Sequence, residues 1–436
     1  MSLLQHFKGD GLKAQMLKGA GGAAIVRAVN MVLMLISGVL LARTMGPENY
    51  GVYSFVLSLV TLLGLPTKAG LPTLLVRETA RNQASQHWGL IKGLLKLSNG
   101  FVFIYSIIVA MLAASIAFYI WADKDIVQVR SFLWALWLLP IIAFEGIRTG
   151  ALRGLRWVVN SQIPEQIIRP MIMIFLLCMA MLLHNEITAI IAIQFNIAAA
   201  VVAFLLGTFL LFNALPQQAK HSKAEYNIKP WLWSLLPLSV FAGLRMLDSQ
   251  TTILLLGMLG SAEEVGLFRV ASTGASLVSF GLTAINLALA PQVARLYQSG
   301  DIQKLQRMIT LTTRGAVAVS LPVAVVFIVW GRPLIRLMFG IEYLAAATAL
   351  VVLCIGQLIN ASCGSVVLVL NMTGNDKATV SSAIVALVLN VILAATLIPS
   401  YGLFGAAIGY TASLIAWNII LVVVTKKKTG LKTFLI

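Results

Sequence analysis

Apolar residues run through this chain in long blocks, and polar residues appear as short interruptions between them. Val317–Trp330 and Val380–Ile398 contain no charge at all. With their neighbours such blocks approach the ~20 residues needed to cross a bilayer as a helix. They lack the strict alternation of a barrel strand, so the pattern predicts helices. Spans are expected near 19–42, 50–70, 97–121, 131–150, 162–183 and 187–212 in the first half. The second half places them near 231–258, 264–289, 311–330, 344–370, 379–398 and 403–425. The expected fold class is therefore an all-α polytopic membrane protein of about 12 transmembrane helices.

Composition supports the same class. Of 436 residues, 59% are hydrophobic and 11% charged, with a mean hydropathy of +0.92. Soluble domains carry about a quarter charged residues, and a water-soluble chain of this length has no place to bury so many apolar side chains. With both termini placed in the cytoplasm, 21 of the 32 basic residues fall in inside segments, 5 in outside segments and 6 within spans. That bias follows the positive-inside rule for twelve helices. It also accounts for the net charge of +17, which in a soluble protein would point to nucleic acid. Here the cations set topology and meet anionic lipid headgroups. The expected protein is multi-pass in a membrane, with both termini cytoplasmic and no nucleic-acid partner.

Most chemical signals read as packing. Cys178, Cys354 and Cys363 lie in apolar segments without metal or redox spacing, and the four histidines form no ligand pair. Gly19-A-G-G-A-Ala24 follows no strand, so it is a small-residue helix start rather than a dinucleotide loop. The first apolar run is too long for a signal peptide and reads as an uncleaved span. Asp123-Lys124-Asp125 looks like the acidic pair of a sugar transferase but sits in an expected external loop. No connection is long enough for a catalytic domain. No metal, cofactor or catalytic residue is expected, and the chain is not read as an enzyme.

Ionisable residues inside spans remain. Each costs ~2.5–3.5 kcal/mol at a helix centre and needs a partner or a wet cavity. Arg27 lies about two turns into the first span, with Asn30 on the same face. Lys68 sits in Gly64-L-P-T-K-A-G-L-Pro72, where Pro and Gly bend or open the helix. Arg245 and Asp248 are three apart in the seventh span, and Arg269 lies just inside the eighth. Glu145 precedes Arg148 by three, and Glu165 precedes Arg169 by four; both couples read as intrahelical ion pairs. Cations outnumber anions in the spans, so a cavity lined by Arg27, Lys68, Arg245, Asp248 and Arg269 favours an anionic ligand such as phosphate. Asn30, Glu165 and Arg169 are secondary candidates. Asp248 reads either as the partner of Arg245 or as a protonation switch.

Leu41-A-R-T-M-G-P-E-N-Y-G-V-Y-S-Phe55 has an echo in Leu255-L-G-M-L-G-S-A-E-E-V-G-L-F-R-Val270. Gly46 aligns with Gly260, Gly51 with Gly266 and Tyr53 with Phe268, with one residue inserted in the second copy. The first stretch links spans 1 and 2, the second spans 7 and 8. The chain thus reads as two six-helix lobes, 1–215 and 216–436, of parallel orientation.

The first link resembles that of the polysaccharide-biosynthesis flippases, the Wzx-type exporters within the multidrug/oligosaccharidyl-lipid/polysaccharide superfamily. Glu165-Q-I-I-R-Pro170, Arg332-P-L-I-R-L-M-F-G-I-E-Tyr343 and Ile398-P-S-Y-G-L-F-G-A-A-I-Gly409 are similar to family segments in the same order. So is Asp248 followed by Leu254-L-L-Gly257 and Glu264-V-G-L-Phe268. The resemblance implies a MATE/MOP-like pair of lobes related by a pseudo-two-fold, alternating between inward- and outward-open states. It implies a cargo of undecaprenyl-pyrophosphate-linked oligosaccharide for O-antigen-like surface polysaccharide, with the tail left in membrane lipid. Coupling to a proton or sodium gradient and contact with polysaccharide-assembly proteins are further implications. A multidrug or organic-cation exporter of the same superfamily is the alternative, with an acidic cavity expected; a membrane glycosyltransferase is a third.

Overall fold

The computed structural model describes residues 12–68, 70–120, 126–184 and 186–434, and these contain helices and no strand. Asp123-Lys124-Asp125 lies outside the described residues. Eight helices are long and apolar enough to cross a membrane, and two bent pairs bring the number to ten. Two of the eight, of 43 and 54 residues, each contain a residue with non-helical dihedrals, Gly46 and Gly402. At 1.5 Å per residue each is long enough for two crossings of a ~30 Å core. Counted in this way, the described residues form twelve spans.

The chain divides into two compact units. The first comprises residues 1–44 and 59–246, the second residues 45–58 and 247–436. Helix α1 (Leu12–Leu63) therefore contributes to both. The first unit also holds α2 (Leu65–Lys68), α3 (Leu71–Ala84), α4 (Trp88–Ile120), α5 (Ile126–Ala135), α6 (Leu138–Gly154), α7 (Arg169–Leu182), α8 (Ala189–Ala214) and α9 (Gln217–His221). Helix α10 (Ile228–Leu259) passes from the first unit to the second. The second unit continues with α11 (Ala262–Val278), α12 (Phe280–Gln298), α13 (Ile302–Met338), α14 (Ala346–Cys363), α15 (Val366–Met372) and α16 (Asp376–Thr429).

Leu71, Leu74, Leu75, Leu94, Ala143, Ile147 and Trp231 form a buried cluster in the first unit. In the second, Leu289, Val293, Leu305, Ile309, Val369 and Leu431 do the same. Large apolar side chains such as Phe103, Ile104 and Met111 on α4, and Leu321 and Val329 on α13, are exposed. In a bilayer these faces meet lipid. Cys354 and Cys363 are buried as packing residues, whereas Cys178 is exposed on α7.

Several helices run beyond their expected ends. Helix α4 starts at Trp88 rather than 97, and α13 covers 302–338 rather than 311–330. The extensions carry Lys92, Lys96, Lys304 and Arg307, which lower hydropathy without disfavouring a helix. Asp301 caps α13 by accepting from the Lys304 N–H at 3.2 Å. Its carboxyl is held below the usual carboxylate range by hydrogen bonds from the Lys304 side chain and backbone.

The two halves also share a device that the aligned links did not reveal. After α8, the connecting segment docks on the start of α4: Glu225 N–H donates to Gly89 O at 2.9 Å, and Lys92 Nζ donates to Lys220 O at 2.6 Å. After α16, the C-terminal strap docks on the start of α13. There Gln306 donates to Lys432 O at 2.7 Å and accepts from Lys432 N–H at 2.8 Å.

The echoed links meet each other within the second unit. A Cβ on Gly51 would strike the Ala262 carbonyl oxygen, and one on Gly266 would strike the Pro47 carbonyl oxygen. Each such Cβ would also lie 3.0–3.2 Å from the other glycine's nitrogen. Pro47 and Ala262 each stand four residues before their own glycine, so the contact is reciprocal, as a pseudo-two-fold requires. Gly46, at φ 72°, starts the second arm of α1 in a conformation that L side chains rarely adopt. Gly266→Leu is expected to abolish recovery of folded protein, because the obstacle is backbone that cannot rotate away. Gly100→Ala, with nothing within 4 Å of the added methyl, should stabilise α4 by up to about 1 kcal/mol. Size-exclusion profile and thermal unfolding in detergent measure both; wild-type behaviour of Gly266→Leu would refute the tight crossing.

Candidate functional site

The first unit gathers four intramembrane charges into one polar network. Helix α6 presents Glu145 and Thr149 one turn apart, with Arg148 and Arg153 beside them. Opposite them the chain enters its next span through a π-helical turn, Pro164–Ile168, before α7. Such single turns of π-helix recur at functional sites. Helix α8, otherwise almost wholly apolar, contributes Asn196 and Thr208.

Arg169 does not pair along its own helix with Glu165 as i,i+4 spacing suggested. Its Nη1 meets both Glu145 carboxylate oxygens at 3.3 and 3.4 Å, while Nε and Nη2 reach Asn196 Oδ1 at 3.2 and 2.9 Å. The Glu145 side chain is 7% exposed and that of Arg169 22%. Glu165 accepts from Thr149 Oγ1 at 2.8 Å. Arg148, expected to pair with Glu145, turns to α8 instead. It donates to the Phe204 carbonyl oxygen and lies 4.3 Å from the centre of the Phe204 ring. Gly207 leaves room for it, since a Cβ there would strike Nη1. Among the described residues no carboxylate forms an ion pair with Arg148. This buried cation is solvated by a carbonyl dipole and a π face instead of an anion. Packing explains both departures: spacing along a helix says which side chains share a face, not which neighbouring helix lies closer.

Asn30 joins the network by donating to Gln166 O, inside the π-helical turn, at 2.7 Å. The side-chain oxygens of Gln162 and Gln166 are buried there without a protein donor. Arg27, one turn earlier on α1, is exposed and lies within electrostatic reach of Arg153. Asn30, Glu165 and Arg169 thus come together, with Arg27 at the open margin. Lys68 closes the short α2 before the break in the second span, and Arg245 lies on α10; their side chains fall outside the described residues.

Asp248 and Arg269 belong to the second unit. Asp248 lies within electrostatic reach of Tyr410, which hydrogen-bonds Gln357. One turn further along α10, Thr252 meets Asn390 in a buried hydrogen bond at 3.3–3.4 Å. Arg269 is exposed and hydrogen-bonds the buried Tyr50. Asn196, Phe204 and Thr208 carry no signal in the sequence beyond the position of Asn196 as one of the few polar residues in the apolar run of α8. Among the described residues no group of three or more His, Cys, Asp or Glu could hold a metal ion.

Helical units, paired links and charges embedded in the spans define a multi-pass membrane protein. The chain belongs to the family described as polysaccharide biosynthesis protein, whose pattern matches residues 40–348. Among solved structures it is similar to an inward-facing multidrug resistance MATE family transporter of the MOP superfamily. The TM-score there is 0.78 at 16% identity, over 93% of this chain and 98% of that one. It is also similar to the lipid II flippase MurJ in an inward closed conformation, at TM-score 0.73 and 14% identity over 92% and 87%. A third similar structure is a MOP superfamily transporter from Pyrococcus furiosus, described by a reversed polarity of its binding pocket, at TM-score 0.65 and 15% identity over 99% and 98%. No curated protein matches the chain.

If Arg169 and Glu145 neutralise each other, Glu145→Gln alone should cost about 3 kcal/mol, the low end for breaking a buried pair. Glu145→Gln with Arg169→Gln should cost less than that single change. Unfolding midpoints of the single and double variants check this; additive losses would show that the pair is not coupled.

Proposed function

We propose that this protein moves a polyprenyl-pyrophosphate-linked oligosaccharide across the bacterial inner membrane by alternating access, for the synthesis of O-antigen-like surface polysaccharide. The observation that carries the proposal is the family match over residues 40–348, and the MOP transporter fold supports it. The excess of cations in the spans supports an anionic cargo, because guanidinium groups bind phosphate in forked, charge-assisted geometry. Arg27, Lys68, Arg245 and Arg269 are proposed to receive the pyrophosphate, with Asp248 tuning them. Residues 1–215 and 216–436 are the two proposed lobes, with both termini in the cytoplasm. The polyprenyl tail stays in lipid throughout. The protein catalyses no bond change in this reading, and an ion gradient drives export.

A multidrug exporter is the second reading, favoured by the likeness to MATE transporters. The sign of the charges opposes it, since an organic cation calls for carboxylates, and the spans offer more guanidinium than carboxylate.

Arg27→Ala and Arg245→Ala are each expected to abolish export while protein abundance in the membrane is unchanged. Surface polysaccharide detected by immunoblot, and lipid-linked saccharide extracted from cells, measure the outcome. Normal polysaccharide in the double variant would refute the assignment of these residues. Deletion of the gene should cause a lipid-linked saccharide to accumulate on the cytoplasmic leaflet; accumulation of none, with raised drug sensitivity, would favour the second reading. Asp248→Asn, assayed against imposed pH gradients, separates a protonation switch from a salt-bridge partner: only the switch makes transport insensitive to the gradient.

A further inference from the structure

One face of α13 changes character along its length. Leu305, Ile309, Thr313 and Ala316 are buried, and the opposite face carries Arg307, Leu311 and Arg314, all exposed. The same exposed face continues through Leu321, Val325 and Val329. A groove of about 810 Å³ opens over its basic end, walled on the far side by Gly430 and Lys432 of the C-terminal strap. Three cations line this groove and no carboxylate does. The nearby Asp301 is already paired with Lys304 at 2.7 Å.

The wall is built rather than loose. Leu431 is 1% exposed in the core cluster of the second unit. The amide of Gln306 clasps the Lys432 backbone from both sides, and Thr313 Oγ1 donates to Thr433 O at 3.3 Å. These bonds hold the strap through its main chain, leaving the Lys432 side chain free to face the groove. Phe434, exposed two residues further on, is a suitable interfacial anchor.

We propose that this groove is a binding site for an anionic glycerophospholipid, with its phosphate between Arg307, Arg314 and Lys432 and its acyl chains along Leu311, Leu321 and Val325. Arg307 and Arg314 stand seven residues apart, about 10 Å along the helix, a span that suits a headgroup lying across two turns. The apolar stripe selects a lipid over free phosphate, because only a lipid covers it. The charge selects an anionic headgroup over a zwitterionic one, because an ammonium group would be repelled by three cations with no carboxylate to meet it. The inference needs only the membrane-spanning fold and is independent of the proposed cargo.

The test uses the full chain in nanodiscs of phosphatidylcholine doped with phosphatidylglycerol, with retained lipid counted by native mass spectrometry. At about 1 kcal/mol per basic residue near an anionic surface, Arg307→Gln with Arg314→Gln should lower phosphatidylglycerol retention about 30-fold. Lys432→Gln, which leaves the strap's backbone bonds intact, should lower it about fivefold and serves as an independent arm if the double variant does not fold. Substituting Lys426, Lys427 and Lys428 by Gln, outside the groove, should leave retention unchanged. Phosphatidylethanolamine should be retained weakly, and millimolar inorganic phosphate should not displace phosphatidylglycerol. The proposal is overturned if the groove variants retain the lipid as wild type does. Equal loss in the Lys426–Lys428 variant would overturn it in favour of diffuse surface attraction, and displacement by inorganic phosphate would overturn it in favour of a free-anion site.

Discussion

A charge placed in hydrocarbon must be neutralised or solvated by the protein itself, and this requirement organises the first unit. Arg169 meets it with Glu145 and Asn196, while Arg148 meets it with a backbone carbonyl and an aromatic ring. Each solution needs several helices at once. Removing a partner therefore disturbs the relative placement of α6, α7 and α8, not merely one contact. The π-helical turn at Pro164–Ile168 belongs to the same solution, because it exposes the Gln166 carbonyl that Asn30 of α1 uses. Within this unit, polar groups act as the register marks that apolar packing against lipid-like side chains does not provide.

The spans, their number and the kinship of the two links were readable from the pattern of residues, because each rests on composition over many positions. Helix ends were read less well. The amphipathic starts of α4 and α13 carry Lys and Arg, and a hydropathy reading stops where those begin. Helix α3 lay beyond the expected second span for the same reason. Partners of buried charges were not legible at all. Glu165 and Arg169 share a helix face by spacing, yet the distance that matters runs between helices and is set by which side chains pack. The Gly51–Gly266 crossing was half legible: alignment identified the two glycines as equivalent, but not that equivalent residues touch.

The docking of the post-α8 segment on α4 matches that of the C-terminal strap on α13, and it shows how a repeat diverges. Both segments cover the start of the third long span of their half. In the first, Lys92 spends its charge on the carbonyls of Lys220 and Ser222. In the second, uncharged Gln306 holds the strap through a single amide, and the neighbouring arginines remain exposed. A shared scaffold thus becomes a closed joint in one half and an open cationic groove in the other.

The placement of residues 45–58 in the second unit has a consequence for how the chain can be divided. The polypeptide passes from one compact unit to the other at three points along its length, so neither unit is a contiguous stretch of sequence. A gene split in the linker between α8 and α10 would separate the covalent halves but leave the second unit lacking a helical arm that its own glycine crossing was shaped to receive. Reassembly of two such fragments would therefore resemble strand exchange between subunits: each half completes the other by lending a piece of itself.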